Sequence, residues 1–179
     1  MDGEDKGLIT LHGRNMVEYI LTALQPQAGN ILINANRNHE QYGAYGLPVV
    51  ADMLGDYFGP LVGMATGMHT TDKPYIVTVP CDSPFIPATL VETLYHSLDS
   101  DQADISVAHD GSRIQPVFAL IRCELLPSLL SYLDDGGRKI DTWYNQHRLA
   151  LADFSGSRDT FLNLNTPADR LALENRIAG

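Results

Sequence analysis

Along the chain, short continuous apolar runs alternate with stretches whose apolar residues recur every three or four positions. Ile31-Leu32-Ile33, Val49-Val50-Ala51 and Tyr75 to Val79 are of the first kind, and continuity rather than alternation predicts strands buried on both faces. Met16, Val17, Ile20, Leu21 and Leu24 are of the second kind; they share one face of a helix that Asn15 can cap. A helical turn is predicted from His39 to Tyr45, a helix from Leu61 to Thr70 entered through Gly59-Pro60, and another from Pro87 to Ser97. The rhythm changes at Asp104. Ile105 to Ala108 and Val117 to Ile121 are separated only by a polar, glycine-containing stretch, His109 to Pro116, which predicts a mixed sheet or a hairpin excursion. Glu124 to Leu133 then reads as helix until Gly136-Gly137, Ile140 to His147 as a second helix and Leu149 to Phe154 as a last strand. Thr166-Pro167-Ala168-Asp169 has the cap, proline and acid of a terminal helix start. This alternation is that of an α/β domain. With no linker or internal repeat, one domain over residues 1–179 is expected.

Composition narrows the function. The chain has 179 residues, 44% of them hydrophobic, enough for a sizeable core. No apolar run approaches the roughly 18 residues of a membrane span, and MDGEDKG is not a basic, apolar leader, so a cytoplasmic protein with no membrane partner is expected. Cys81 and Cys123 lack the spacing of a metal site or disulfide framework and are expected to be reduced, buried thiols. Twelve basic against 22 acidic residues leave a net charge of −10. Without a basic run, that excludes a large nucleic-acid surface. A small polyanionic ligand would need a divalent cation as mediator.

In parallel sheets, ligands lie beyond the carboxyl ends of the strands. The polar residues there are Asn34, Asn36 and Arg37 after Ile33, Asp52 after Val50-Ala51, Asp82 after Val79-Pro80, and Asn163 and Asn165 after Leu162. Asparagines also form turns, and Asp52 can cap a turn. Asp82 is harder to explain locally. Ser83 can cap the next helix by itself, and a charge following a buried strand is costly unless paired or metal-bound. No phosphate-loop, H-E-x-x-H or G-x-S-x-G motif is present, and the six histidines have no ligand spacing.

The ordered stretches MDGEDKGLI, NANR, ADMLGDYFGPLVGM, VPCDSPFIP and NLNTPAD resemble the molybdenum cofactor guanylyltransferases from the first residue to the last helix. The resemblance implies a Rossmann-like nucleotidyltransferase fold with a mostly parallel mixed sheet between helices. It implies transfer of GMP from GTP to the phosphate of molybdenum-molybdopterin, with release of pyrophosphate and formation of the guanine dinucleotide. Lys6, Asn34, Asp52 and Asp82 are thereby expected to bind GTP, with Lys6 on the phosphates and Asp82 coordinating Mg2+; Lys6 and Asp82 are the catalytic pair. Gly59, Gly63, Arg138, Lys139, Asn163 and Asn165 are expected on the molybdopterin side. Transient contact with molybdoenzymes or their chaperones is implied as well. In the family a central strand and glycine-rich phosphate loop precede the lysine; this sequence has only Met1-Asp2-Gly3 of it, so that strand and loop are expected to be lacking. Two alternatives accompany this reading: a cytidylyl or sugar-nucleotide transferase of the same fold, and a non-catalytic pterin- or partner-binding module.

Overall fold

A computed structural model of the chain describes residues 5–55, 59–163, 169 and 171. A 3-10 turn at Lys6–Leu8 leads to a small antiparallel ribbon, β1 (Thr10–Leu11) with β2 (Arg14–Asn15). α1 (Met16–Leu24) buries Met16, Val17, Ile20, Leu21 and Leu24, the face the spacing predicts. Asn15 and Glu18 close a capping box at its start, each side chain meeting the other's backbone N–H.

β3 (Ile33–Asn34), α2 (His39–Gly43) and β4 (Val49–Val50) follow. β3 and β4 pair in parallel, Ile33 opposite Val49 and Asn34 opposite Val50. This corrects the sequence reading twice: β3 begins two residues later than Ile31 and takes in Asn34, and neither strand is buried on both faces. α3 (Pro60–Thr70) then leads to β5 (Tyr75–Thr78), and α4 (Leu90–Ser100) to the hairpin of β6 (Ile105–His109) and β7 (Ile114–Arg122). α5 (Leu126–Asp134), α6 (Ile140–Tyr144) and β8 (Leu149–Asp153) complete the order.

The larger sheet has the order β5-β7-β6-β8. β7 runs antiparallel to β5 and β6, while β6 and β8 are parallel; the mixed sheet is as the missing helix between Ala108 and Val117 predicts. The connecting loop is shorter than expected because β7 starts at Ile114. Register passes from Val107 opposite Ala119 to Ala108 opposite Gln115, so Pro116, Val117 and Phe118 bulge out of the β6 ladder. The proline's missing N–H therefore costs no bond to that strand. β5 is only half-buried throughout, contrary to the continuous apolar run. Among the described residues no strand pairs with its outer edge, and the β3–β4 pair forms a separate sheet.

Side chains alternate across the sheet. Phe118, Leu120, Ala150 and Ala152 face a core with Leu90, Leu94 and Leu98 of α4. Ile105, Val107, Ala119 and Ile121 face the opposite core, with Met64 and Met68 of α3, Leu129 and Leu133 of α5, and Trp143 and Tyr144 of α6. The result is a helix–sheet–helix sandwich.

Several helix boundaries differ from the sequence reading: α2 ends at Gly43, not Tyr45, α4 runs on to Ser100, not Ser97, and α5 starts at Leu126, not Glu124. α4 starts at Leu90, not Pro87, because Gln27, in the turn after α1, accepts from the Val91 N–H (3.1 Å) and donates to the Pro87 carbonyl (2.9 Å). α6 ends at Tyr144, and turn bonds from the Gln146 and His147 N–H groups follow it. Thr166, Pro167 and Ala168, where the terminal helix is predicted to begin, lie outside the described residues, as does Asn165. Among the described residues no helix is long and apolar enough to cross a membrane.

Candidate active site

The turn carrying Lys6 is three residues long, too short to persist alone. Its side chain spans to the end of β5, where Lys6 Nζ lies 2.9 Å from Asp82 Oδ2. The Asp82 side chain is 14% exposed and that of Lys6 37%, so this is a rim pair. The charge that a buried strand could not explain thus has a partner 76 residues away. Its neighbour Ser83 is fully buried and does not cap α4; its hydroxyl donates to Asn163 Oδ1 at 2.5 Å. Asn163 is thereby tied to the Asp82 loop.

A second cluster forms where β3 and β4 end. Asn36 and Asp52 hold each other reciprocally: Asn36 Nδ2 donates to Asp52 Oδ2 (2.7 Å), and the Asp52 N–H donates to Asn36 Oδ1 (2.8 Å). Asp52 Oδ1 remains buried with no hydrogen-bond partner among the described residues. A buried acceptor left this way calls for a donor. Asn34 Nδ2 donates to the Val50 carbonyl at 3.2 Å, and its oxygen is turned toward α3. A Cβ on Gly63 would lie 2.5 Å from Asn34 Oδ1 and 3.9 Å from Asp52 Oδ1. Gly63 therefore belongs with Asn34 and Asp52 in space. Gly59 caps α3 with φ +77°, a backbone that favours glycine.

The clusters are joined by a residue that the sequence reading passes over. Asp5 caps the Lys6 turn through the Gly7 N–H (3.3 Å) and accepts from the Tyr42 hydroxyl (2.6 Å) and from Asn38 Nδ2 (2.9 Å). Arg37 Nε is 3.6 Å from the same carboxylate. The loop 35–38 thus reaches Asp52 through Asn36 and Asp5 through Asn38. Burial, and then the hydrogen bond to Asp5, push the Tyr42 phenol far above its ordinary range, so it stays a donor. The available sequence signal was an Asp two residues before a glycine, the spelling of a turn cap.

Arg138 and Lys139 are at the joint of α5 and α6. Arg138 Nη1 donates to the carbonyls of Leu133 (2.8 Å) and Gly137 (2.6 Å), capping α5 as cations do. The Lys139 carbonyl accepts from the Tyr132 hydroxyl at 3.0 Å. None of these bonds reaches Asp82 or Asp52. The cysteines are free, but not buried as expected: Cys81 is exposed and Cys123 intermediate, because Cys81 is on the rim loop past β5. Although the residue as a whole is exposed, loss of hydration around its thiol, then the nearby Asp82 and Asp5 charges, raise it to about 11, which disfavours the thiolate at neutral pH. Among the described residues no three His, Cys, Asp or Glu groups gather as a metal site.

Residues 1–150 match the MobA-like NTP transferase domain family. The molybdenum cofactor guanylyltransferase of Shewanella sediminis is 45% identical over 178 residues, covering 99% of this chain and 91% of the relative. That of Shewanella halifaxensis is 43% identical over 178 residues, covering 99% and 89%. Among solved structures, molybdopterin-guanine dinucleotide biosynthesis protein A from Archaeoglobus fulgidus superposes with a TM-score of 0.81 at 18% identity, covering 98% of this chain and 92% of that one. The 2-C-methyl-D-erythritol 4-phosphate cytidylyltransferase from Thermus thermophilus gives 0.75 at 15% identity, covering 97% and 94%. The fold is the Rossmann-like nucleotidyltransferase fold.

Proposed function

The chain belongs to the molybdenum cofactor guanylyltransferases, and from that premise we propose how its residues divide the work. The reaction is transfer of GMP from GTP to the phosphate of molybdenum-molybdopterin, giving the guanine dinucleotide and pyrophosphate. A phosphate monoester has a second pKa near 6, so the attacking oxygen is already largely ionised at neutral pH. No base is required. The difficulty is repulsion between two polyanions, in a protein whose own charge is −10; positioning and electrostatic stabilisation must overcome it.

The observation that carries the assignment is the Lys6–Asp82 pair at 2.9 Å, which gathers an ammonium and a carboxylate at the end of β5. Lys6 meets the phosphates of GTP as a compact point charge and steadies the departing pyrophosphate. Asp82 fits Mg2+: it is a hard oxygen donor on the rim, its side chain 14% exposed, and magnesium commonly uses one or two carboxylates with substrate phosphates and water. Magnesium held there supplies neutralisation of phosphate oxygens.

Asn34 and Asp52 bind the nucleoside end of GTP. The buried, unpartnered Asp52 Oδ1 supports this, since it needs an N–H or O–H donor of the kind that guanine and ribose both carry. Asn163, tied to Ser83, Gly59 and the pair Arg138 and Lys139 complete the proposal on the molybdopterin side, together with Asn165. Gly63 touches Asn34 instead, and it serves the nucleotide by letting that amide lie close. Synthesis in the cytoplasm and a transient hand-over to molybdoenzymes or their chaperones are part of the same reading.

Asp82→Asn is expected to lower guanylyl transfer by roughly 100-fold or more, the scale of losing one electrostatic contact to the transferred group, with an unchanged circular dichroism spectrum. Radiolabelled GTP converted at a near-normal rate by that variant would remove Asp82 from the chemistry.

A further inference from the structure

We infer that Asp5 is a positioning residue for the reaction: its carboxylate fixes the turn that aims Lys6 at the Asp82 rim. The inference rests on the reading of Lys6 as the phosphate contact. A three-residue 3-10 turn has few bonds of its own; here they are the Leu8 N–H to the Asp5 carbonyl (3.0 Å) and the Ile9 N–H to the Lys6 carbonyl (3.3 Å). What holds it must be tertiary.

The Asp5 carboxylate supplies that hold from both oxygens. Oδ1 accepts from the Gly7 N–H inside the turn and from the Tyr42 hydroxyl outside it, at 2.6 Å, the short range of a charge-assisted bond. Oδ2 accepts from Asn38 Nδ2 at 2.9 Å and faces Arg37. Tyr42 is 3% exposed and packs with Val17, Leu21, Ile33 and Val49, so the anchor is rooted in the core beneath α1, β3 and β4. A Cβ on Gly7 would collide with the Tyr42 hydroxyl and lie 3.5 Å from Cys81 Cβ. The turn is therefore clamped between the Tyr42 side and the rim loop that carries Asp82.

Lys6 thus belongs to the β3–β4 side of the molecule and Asp82 to the end of β5, and those strands share no ladder. The distance between ammonium and carboxylate is set by where Asp5 pins the turn. Removing Asp5 leaves Lys6 present but undirected.

The test is a double-mutant cycle on the full chain, read in the dissociation constant of a fluorescent GTP analogue with magnesium and in kcat/KM. Asp5→Ala alone is expected to weaken nucleotide binding about tenfold, the scale of lost charge-assisted bonds. Lys6→Ala is expected to weaken it at least as much. In the Lys6→Ala background Asp5→Ala should add less than about twofold, because a lysine that is gone cannot be misdirected. Tyr42→Phe, which keeps the packing and deletes one donor, should give a smaller loss in wild type and none in Lys6→Ala. Equal losses in both backgrounds, or an Asp5→Ala protein that binds like wild type, overturn the inference while leaving Lys6 in its role. A Lys6→Ala protein with unchanged affinity and turnover overturns the role of Lys6, and this inference with it.

Discussion

Gly63 brings two forces into opposition at one position of α3. Glycine inside a helix costs about 1 kcal/mol relative to alanine, so a purely structural role would make Gly63→Ala stabilising. A Cβ there would lie 2.5 Å from Asn34 Oδ1, and the cheapest relief is rotation of the Asn34 side chain, which gives up its 3.2 Å bond to the Val50 carbonyl. An exposed hydrogen bond of this kind contributes about 0.5–1.5 kcal/mol, enough to cancel the helix gain. The expected result is a melting temperature within a few degrees of wild type and GTP affinity reduced about tenfold, measured by calorimetry and titration on the same preparation. Unchanged affinity would separate Asn34 from nucleotide binding.

Among elements, the β6–β7 hairpin depends on one carboxylate. Asp110 Oδ1 accepts from the Ser112 N–H (2.8 Å), the Ser112 hydroxyl (2.7 Å) and the Arg113 N–H (2.9 Å), and Oδ2 from Gln115 Nε2 (2.7 Å). The Ser112 hydroxyl bond first, and then the backbone N–H groups, hold the Asp110 carboxyl well below its usual range. A depressed folded pKa contributes stability that is fully present above the unfolded value near 3.9 and is lost as pH falls below it. Asp104, lowered by its hydrogen bond from Arg148, acts in the same window. Asp110→Asn is expected to melt at lower temperature than wild type at pH 7, and the gap should narrow steadily from pH 4 downward. A gap independent of pH would mean that the turn depends on side-chain shape and not on charge. The element scale is also where sequence and structure diverged. The hairpin was legible in the absence of a helical stretch, but its bulge was not. The start of α4 was misread because the bond to its first turn comes from Gln27, in the turn after α1 and 64 residues away.

At the scale of the molecule, the sheet is in two parts of unequal cover. β6 and β7 are enclosed by cores on both faces, with Val107, Ala119 and Ile121 fully buried. β3 and β4 are a two-residue pair and largely half-exposed. Local opening follows apolar burial and density of contacts. In native-state hydrogen exchange followed by mass spectrometry, the amides of Ala119 to Ile121, paired on both sides, should therefore be the slowest. The amides of Ile33 and Ala35, bonded to the Pro48 and Val50 carbonyls, should exchange at least about a hundredfold faster. Equal rates would mean that both sheets open as one unit. The cluster of Asn34, Asn36 and Asp52, proposed to take the nucleoside, is thus at the end of the looser part, and a ligand filling it is expected to slow exchange there most.

Much was determined by the sequence alone. Apolar spacing defined α1, Gly59-Pro60 marked the entrance of α3, the two-strand excursion defined the mixed sheet, and the ordered motifs from MDGEDKGLI to NLNTPAD pointed to the family that the comparisons bear out. These are local signals, carried by residues a few positions apart. Only the tertiary structure decided what Asp82 is paired with, that Asn163 answers to Ser83, that Gly63 makes room for Asn34, and that Asp5 ties the Lys6 turn to Tyr42. Each of those is a contact between side chains distant in the chain, and a hydrogen bond is directional and short: whether two groups meet within 3 Å depends on how helices and strands pack, which no periodicity in the chain encodes.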